Sequence, residues 1–179
     1  MKPFVSIVIL LFTLCACQKA TLQNSKGVLE RGVPDEISYD VNLTQFKDTE
    51  FEYTIQAKKI ERFHDRRLMH GYSVTLTTYD KNGKINSTIK ADTTIVDDAR
   101  NLVFANGNTK MTSPNGTLAT SRLTWDRGVD EITAPEKVTL TRDGSVLRGD
   151  NLRTNSKLSL VLMDNISAEG IINQKDIDW

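Results

Sequence analysis

In 179 residues the sequence has only two cysteines, two histidines and no surplus of charge, with 23 Lys and Arg against 23 Asp and Glu. A balanced chain lacks the concentrated basic surplus that nucleic-acid phosphates demand, which excludes nucleic acid as its main partner. Its densest apolar run, Phe4 to Leu14, is eleven residues interrupted only by Ser6 and Thr13. A spanning helix needs about 20 apolar residues, so this run is too short to cross a bilayer stably. No glycine loop fit for a nucleotide phosphate is present, and His64 and His70 stand in no metal-ligand spacing. The sequence therefore predicts no catalytic residue, no metal and no cofactor. What remains is 39% apolar and 26% charged residues, the composition of a globular chain of about one domain.

Both cysteines sit beside the N-terminal apolar run. Lys2 followed by that run has the layout of an export signal. The next residues, Leu14-Cys15-Ala16-Cys17, resemble the lipobox of bacterial lipoproteins, in which a small residue precedes the cysteine and an aliphatic one lies three positions before it. Cys17 fits with Ala16 and Leu14, whereas Cys15 would put the bulky Leu14 at the cleavage point. That resemblance implies cleavage before Cys17 and acyl chains on Cys17. Residues 1–16 are then a signal peptide, 17–32 a polar tether and 33–179 the folded domain; an ordinary secretory signal is the alternative. Each buried CH₂ contributes about 0.8 kcal/mol, so a multiply acylated cysteine holds a protein at a membrane. The mature chain, with one cysteine, cannot close an internal disulfide, and its stability must come from burial.

From Val33 onward the pattern has period two. Phe51, Tyr53, Ile55 and Ala57 alternate with Glu52, Thr54 and Gln56; Tyr72, Val74 and Leu76 alternate with Ser73, Thr75 and Thr77. Ile89, Ala91, Thr93 and Ile95 continue the theme, as do Leu158, Leu160 and Leu162. Such alternation predicts half-buried strands and an all-β fold. Turns are expected at Asp80-Lys-Asn-Gly83, Asn106-Gly-Asn108, Pro114-Asn-Gly116 and Arg142-Asp-Gly144, because Asn, Asp and Gly tolerate the positive φ of tight turns. Four units repeat, opening at Ile55, Ile89, Leu118 and Leu147, spaced 34, 29 and 29 residues apart, and closing on Asn/Asp-Gly turns or, in the last, Glu169-Gly170. Periods of this length mark stacked supersecondary units that bury their apolar faces on one another.

The ordered pieces Tyr79-Asp-Lys-Asn-Gly83, Ala91-Asp92, Gly107-Asn108, Ser113-Pro-Asn-Gly116 and Leu123-Thr-Trp-Asp126 resemble the LptC branch of the OstA/LptA-type repeat of lipopolysaccharide export. The resemblance spans about Val33 to Gly170. It implies a twisted, V-shaped β-jelly-roll of antiparallel strands, open along one side over an apolar groove. It implies a periplasmic transport component that takes lipid A acyl chains from an inner-membrane ABC transporter and passes them to an LptA/OstA-like bridge protein. Better-known relatives are similar in carrying a spanning N-terminal helix; a lipid anchor at the inner membrane would replace it here.

On that resemblance the inward positions become groove candidates: Tyr53, Ile55, Ala57, Tyr72, Val74, Leu76, Ile89, Ala91, Met111, Leu140 and Leu160. The edge offered to the bridge protein is expected over Leu158 to Ile172, with Leu158, Leu160 and Leu162 its candidate residues, and the strands near Phe51 to Ala57 are expected to face the transporter. The physical need is clear. An acyl chain of about 12 carbons costs on the order of 10 kcal/mol to expose to water, so it must travel in an apolar channel. Arg62, Arg66 and Arg67 read as a solvated hairpin tip or a contact for lipid phosphates, and Asp97-Asp98 as a turn rather than a hydrolytic pair. The alternative reading is a surface or outer-membrane lipoprotein, structural or polysaccharide-binding, with the same β-repeat.

Overall fold

The computed structural model describes residues 32–47 and 49–169. The chain divides into two units, Met1–Val33 and Pro34–Trp179. The signal peptide, Cys17 and almost all of the expected tether lie outside the described residues, as does the last turn at Gly170. No helix among the described residues is long and apolar enough to cross a membrane.

The second unit is all-β, as the alternation requires. Ten antiparallel strands form one sheet: β1 Glu36–Lys47, β2 Glu50–Phe63, β3 Leu68–Tyr79, β4 Ile85–Asp97, β5 Leu102–Ser113, β6 Gly116–Asp126, β7 Glu131–Ala134, β8 Val138–Arg142, β9 Ser145–Thr154 and β10 Leu162–Glu169. β7 and β8 both lie between β6 and β9, the interruption falling at Pro135 to Lys137. The sequence repeat is thereby explained. Each unit opens on β2, β4, β6 or β9 and carries the following strand or strands as its partner.

Across the middle of the sheet runs a polar seam at which the strands bend. Asp40, Ser73, Asn108, Asn151 and Asn165 have φ between 42° and 51°, and Gly107 has φ 74°. Short polar side chains and glycine enter this left-handed region most cheaply. Neighbouring strands bond across the seam: Lys58 to Asp40 at 2.9 Å, Asn108 Nδ2 to Asp92 Oδ2 at 2.8 Å, Ser121 to Glu136, and Asn165 Nδ2 to Asp150 Oδ1 at 3.1 Å. Gly107 has a second constraint, since a Cβ there would stand 2.6 Å from the Asp92 carboxylate.

At the seam the alternation slips by one residue. Buried positions run Val74, Leu76 on one side in β3 but Gly71 on the other; Ile89, Ala91 then Thr94, Val96 in β4; Leu118 then Leu123 in β6. Two expectations are corrected by this. Tyr72 does not share the inward face of Val74, because Ser73 adopts φ 51°; it is 36% exposed and donates to Glu61 Oε2 at 3.0 Å. Asn106-Gly107-Asn108 is not a hairpin turn but a bulge within β5, the hairpin between β4 and β5 being at 98–101.

Bending at the seam folds the sheet over, so that its two half-sheets enclose one apolar interior. Residues from both halves, including Ile55, Ile60, Val96, Met111, Leu123 and Leu152, pack into a single cluster. One row of hairpins, at β3–β4, β5–β6 and β8–β9, borders the first half-sheet. The connections β2–β3, β4–β5, β6–β7 and β9–β10 border the second.

Candidate functional site

The interior is bounded differently on its two sides. On the side nearest the C-terminus the β9–β10 connection, residues 155–161, folds across the gap between the half-sheets. Asn86 Nδ2 donates to Ser156 Oγ at 3.0 Å, and Ser113 Oγ and Asn115 Nδ2 donate to the Lys157 carbonyl at 2.9 and 2.8 Å. Arg142 donates to the Leu158 carbonyl, and Asp130 accepts from the Ser156 hydroxyl at 3.0 Å. With its backbone so held, and φ at 53°, Leu158 is driven fully into the core. We call this connection the clasp.

On the opposite side, beneath β1 and β2, the half-sheets leave a cavity of about 490 Å³. Leu43, Gln45, Glu52 and Tyr53 line it from the first half-sheet. Arg62, Phe63, His64, Arg67, Leu68 and Met69 line it from the end of β2, the 3₁₀ turn His64–Arg66 and the start of β3. The loop residues Asp98, Asn101 and Arg127 complete it. Arg127 bonds Asp98 Oδ1 through Nη2 at 2.7 Å and lines the mouth opposite Tyr53, whose hydroxyl feels its charge, so one guanidinium stands between the loops of one half-sheet and a strand of the other. Burial pushes the Tyr53 hydroxyl above its usual pKa, and the Asp98 charge adds to that effect. We call this side the mouth.

Of the eleven expected groove residues, Ile55, Ala57, Val74, Leu76, Ile89, Ala91, Met111 and Leu140 lie together in the interior and are buried by protein atoms. Their lining is thus closed in this structure. Tyr53 is the one that stands at the mouth. Tyr72 and Leu160 lie outside, Leu160 being 66% exposed in the clasp rather than inward in a strand. The strand alternation expected for Leu158, Leu160 and Leu162 is also corrected. Leu158 plugs the core from the clasp, and only Leu162 belongs to a strand, the first residue of β10.

The edges of the sheet are β1 and β10; each pairs with one neighbour among the described residues. β10 presents Leu162 and Ile166, each 58% exposed, beside Asp164 and Asn165. Its pairing with β9 is irregular, shifting register twice between Leu162 and Ser167. At the other edge, exposed Phe46 and Phe51 stack at 4.8 Å beside Tyr79.

Asp97 and Asp98 do not form a carboxylate pair. Asp97, nearly buried, accepts from the Arg100 backbone at 3.0 Å and from Arg100 Nε at 2.6 Å, while Asp98 turns to Arg127. The Arg100 side-chain bond holds the Asp97 carboxyl below its usual pKa. Of the histidines, His64 is exposed and His70 packs its ring on Phe63 at 4.9 Å. Among the described residues no three potential ligands gather closely enough to hold a metal ion. Sequence reading missed Arg127 and Asp98 as mouth residues, because their meeting with Tyr53 depends on folding the sheet over. Arg62 and Arg67, read as a hairpin tip, border the mouth.

Comparison with known proteins finds likeness both to a family and to solved structures. The family described as lipopolysaccharide-assembly, LptC-related, matches residues 5–167. Among solved structures, the chain is similar to LptH of Pseudomonas aeruginosa, described as the LptA homologous periplasmic component of a lipopolysaccharide transport device. The TM-score is 0.54 at 10% sequence identity, covering 68% of this chain and 94% of that one; at this identity the likeness speaks to the fold, which is the LptA-like jelly-roll. No curated protein matches.

Proposed function

The chain belongs to the LptC-related lipopolysaccharide-assembly family, and we propose that it carries lipid A acyl chains between its two half-sheets, entering at the mouth. One observation carries the reading: the apolar interior is continuous from the mouth to the clasp, and the cavity at the mouth is lined from both half-sheets by Phe63, a buried residue, and by Tyr53 and Met69, which pack against that interior. The interior is filled by its own side chains, so loading requires the half-sheets to part. Hydrocarbon then takes the place of side-chain contacts. A non-directional hydrophobic effect is satisfied equally by either partner, which is why such an exchange has a small net cost. No covalent chemistry is needed.

Transfer follows from the two edges. Unpaired backbone groups on a strand edge can receive a strand of another protein, giving main-chain hydrogen bonds and a sheet continuous across the junction. In this reading β10, which lies within the edge expected over Leu158 to Ile172, meets an LptA/OstA-like bridge protein. β1 and the Phe46–Phe51 end face the inner-membrane ABC transporter, which supplies the energy. Acyl chains on Cys17 tether the domain to the periplasmic face of the inner membrane.

Photoreactive residues in place of Ile55, Val74 or Met111 test the carriage. Each should capture lipopolysaccharide in cells, and exposed Lys110, next to Met111 on the outer face, should not. Equal capture at Lys110, or none at the three interior positions, would remove the basis for a lipid-carrying interior.

A further inference from the structure

The mouth differs from the rest of the interior in its charge. Three guanidinium groups from separate segments border it: Arg62 at the end of β2, Arg67 after the 3₁₀ turn, and Arg127 in the β6–β7 turn. Their hydrogen-bonding capacity is largely unspent. Arg62 makes no side-chain hydrogen bond or ion pair within the described residues. Arg67 gives one long bond, 3.3 Å, to the Asp98 carbonyl. Arg127 is bound to Asp98, yet its Nε–H is buried with no acceptor. A buried N–H without a partner is costly, and an acceptor arriving at the mouth would relieve that cost.

The acids at the mouth do not cancel all of these donors. Asp98 takes up the charge of Arg127 at 2.7 Å, which leaves the charges of Arg62 and Arg67, while Glu52 is exposed to solvent. Beside the arginines lie the apolar side chains of Leu43, Phe63 and Met69. A ligand filling the mouth therefore needs an anionic group with several acceptor oxygens, joined directly to hydrocarbon. A carboxylate offers two oxygens to three forks. A phosphomonoester offers three oxygens and close to two negative charges at neutral pH, suiting donors that three elements bring to one cavity.

We infer that the mouth is a phosphomonoester site, formed by Arg62, Arg67 and Arg127, that holds the phosphorylated head of an amphiphile while its chains enter the interior. This rests on the reading of the interior as a lipid carrier and adds to it a determinant of which lipid is taken. Free phosphate shares the chemistry but lacks the chain that reaches Leu43, Phe63 and Met69.

Calorimetric titration of the full chain with three probes separates these cases: dodecyl phosphate, dodecyl maltoside and inorganic phosphate, the amphiphiles below their micelle concentrations. Dodecyl phosphate should bind at least about tenfold more tightly than dodecyl maltoside, the order expected of one added charge-assisted contact set. Arg62→Gln combined with Arg67→Gln should erase that preference and leave dodecyl maltoside binding unchanged. Both side chains are partly or fully exposed, so these variants keep the core intact. Equal binding of the two amphiphiles by the unaltered protein overturns the phosphate site and leaves the lipid-carrying interior standing. Inorganic phosphate binding as tightly as dodecyl phosphate upholds the arginine site and overturns its link to lipid. Failure of every probe to bind overturns both.

Discussion

At the clasp, Asn86, Ser113, Asn115 and Arg142 each donate to residues 156–158 and tie the two half-sheets together, with Leu158 sealed beneath. At the mouth, among the described residues, no comparable network of hydrogen bonds spans the gap; Arg127 stands opposite Tyr53 across a cavity of about 490 Å³. The same sheet, bent along the same seam, is thus closed on one side by a network of hydrogen bonds to the clasp and faced on the other by one half-buried cation. The difference teaches where such a molecule can yield. Opening the clasp breaks several hydrogen bonds and uncovers a leucine; opening the mouth breaks a pair or two, which solvent or a ligand can replace.

The largest expected effect falls on the clasp side. Leu158→Ala removes a fully buried side chain of the core cluster and should cost about 2–5 kcal/mol by urea unfolding. Leu43→Ala at the mouth, where the cavity already exists, should cost less than about 1 kcal/mol in the same assay. Equal costs would erase the contrast.

Next in size is the polar part of the clasp. Arg142→Ala removes a charged donor to the Leu158 and Asn115 carbonyls and should cost about 1.5–3 kcal/mol. It should also raise hydrogen exchange across residues 155–161, leaving β1–β3 unchanged.

A smaller effect, and one confined to acid, belongs to the hairpin beside the mouth. Asp97 has its pKa lowered by the Arg100 hydrogen bond, so the stability it contributes is fully present above the unfolded carboxylate value. It is lost as pH falls through the lower folded value, that is, below about pH 4. In Asp97→Asn that acid-dependent part should disappear, so unfolding midpoints of variant and parent should converge as pH is lowered. Curves that stay parallel down to acid would contradict the assignment.

The smallest effect on stability is expected at the β10 edge. Leu162→Ser and Ile166→Ser alter exposed side chains and should change stability by no more than about 0.5 kcal/mol. Capture of a bridge protein, measured by pull-down from cells, should fall nonetheless.

Particular residues show how much of this was legible in the chain. Ile55, Ala57, Val74, Leu76, Ile89 and Ala91 were placed inward by alternation alone, and the Asp80, Pro114 and Arg142 turns fall between strands as their Asn-Gly and Asp-Gly pairs require. Tyr72 was misplaced because alternation presumes uniform backbone, and a single left-handed serine reverses it. Asn106-Gly-Asn108 was read as a turn because a bulge and a hairpin ask for the same residues. Leu158 and Leu160 have strand-like spacing, yet the hydrogen bonds made to Lys157 and Leu158 by Ser113, Asn115 and Arg142, distant in sequence, impose a loop. The mouth was the least legible feature. Tyr53, Arg62 and Arg127 are brought together only when one half-sheet folds over the other.

The central claim is that lipid parts the half-sheets at the mouth while the clasp stays shut. Pulsed electron resonance with encoded spin-label residues tests it directly, one pair at Gln45 and Asn101 across the mouth and another at Lys81 and Lys157 across the clasp. Adding lipid A should lengthen the first distance and leave the second unaltered. A mouth distance that does not move, or a clasp that opens in its place, would contradict the account.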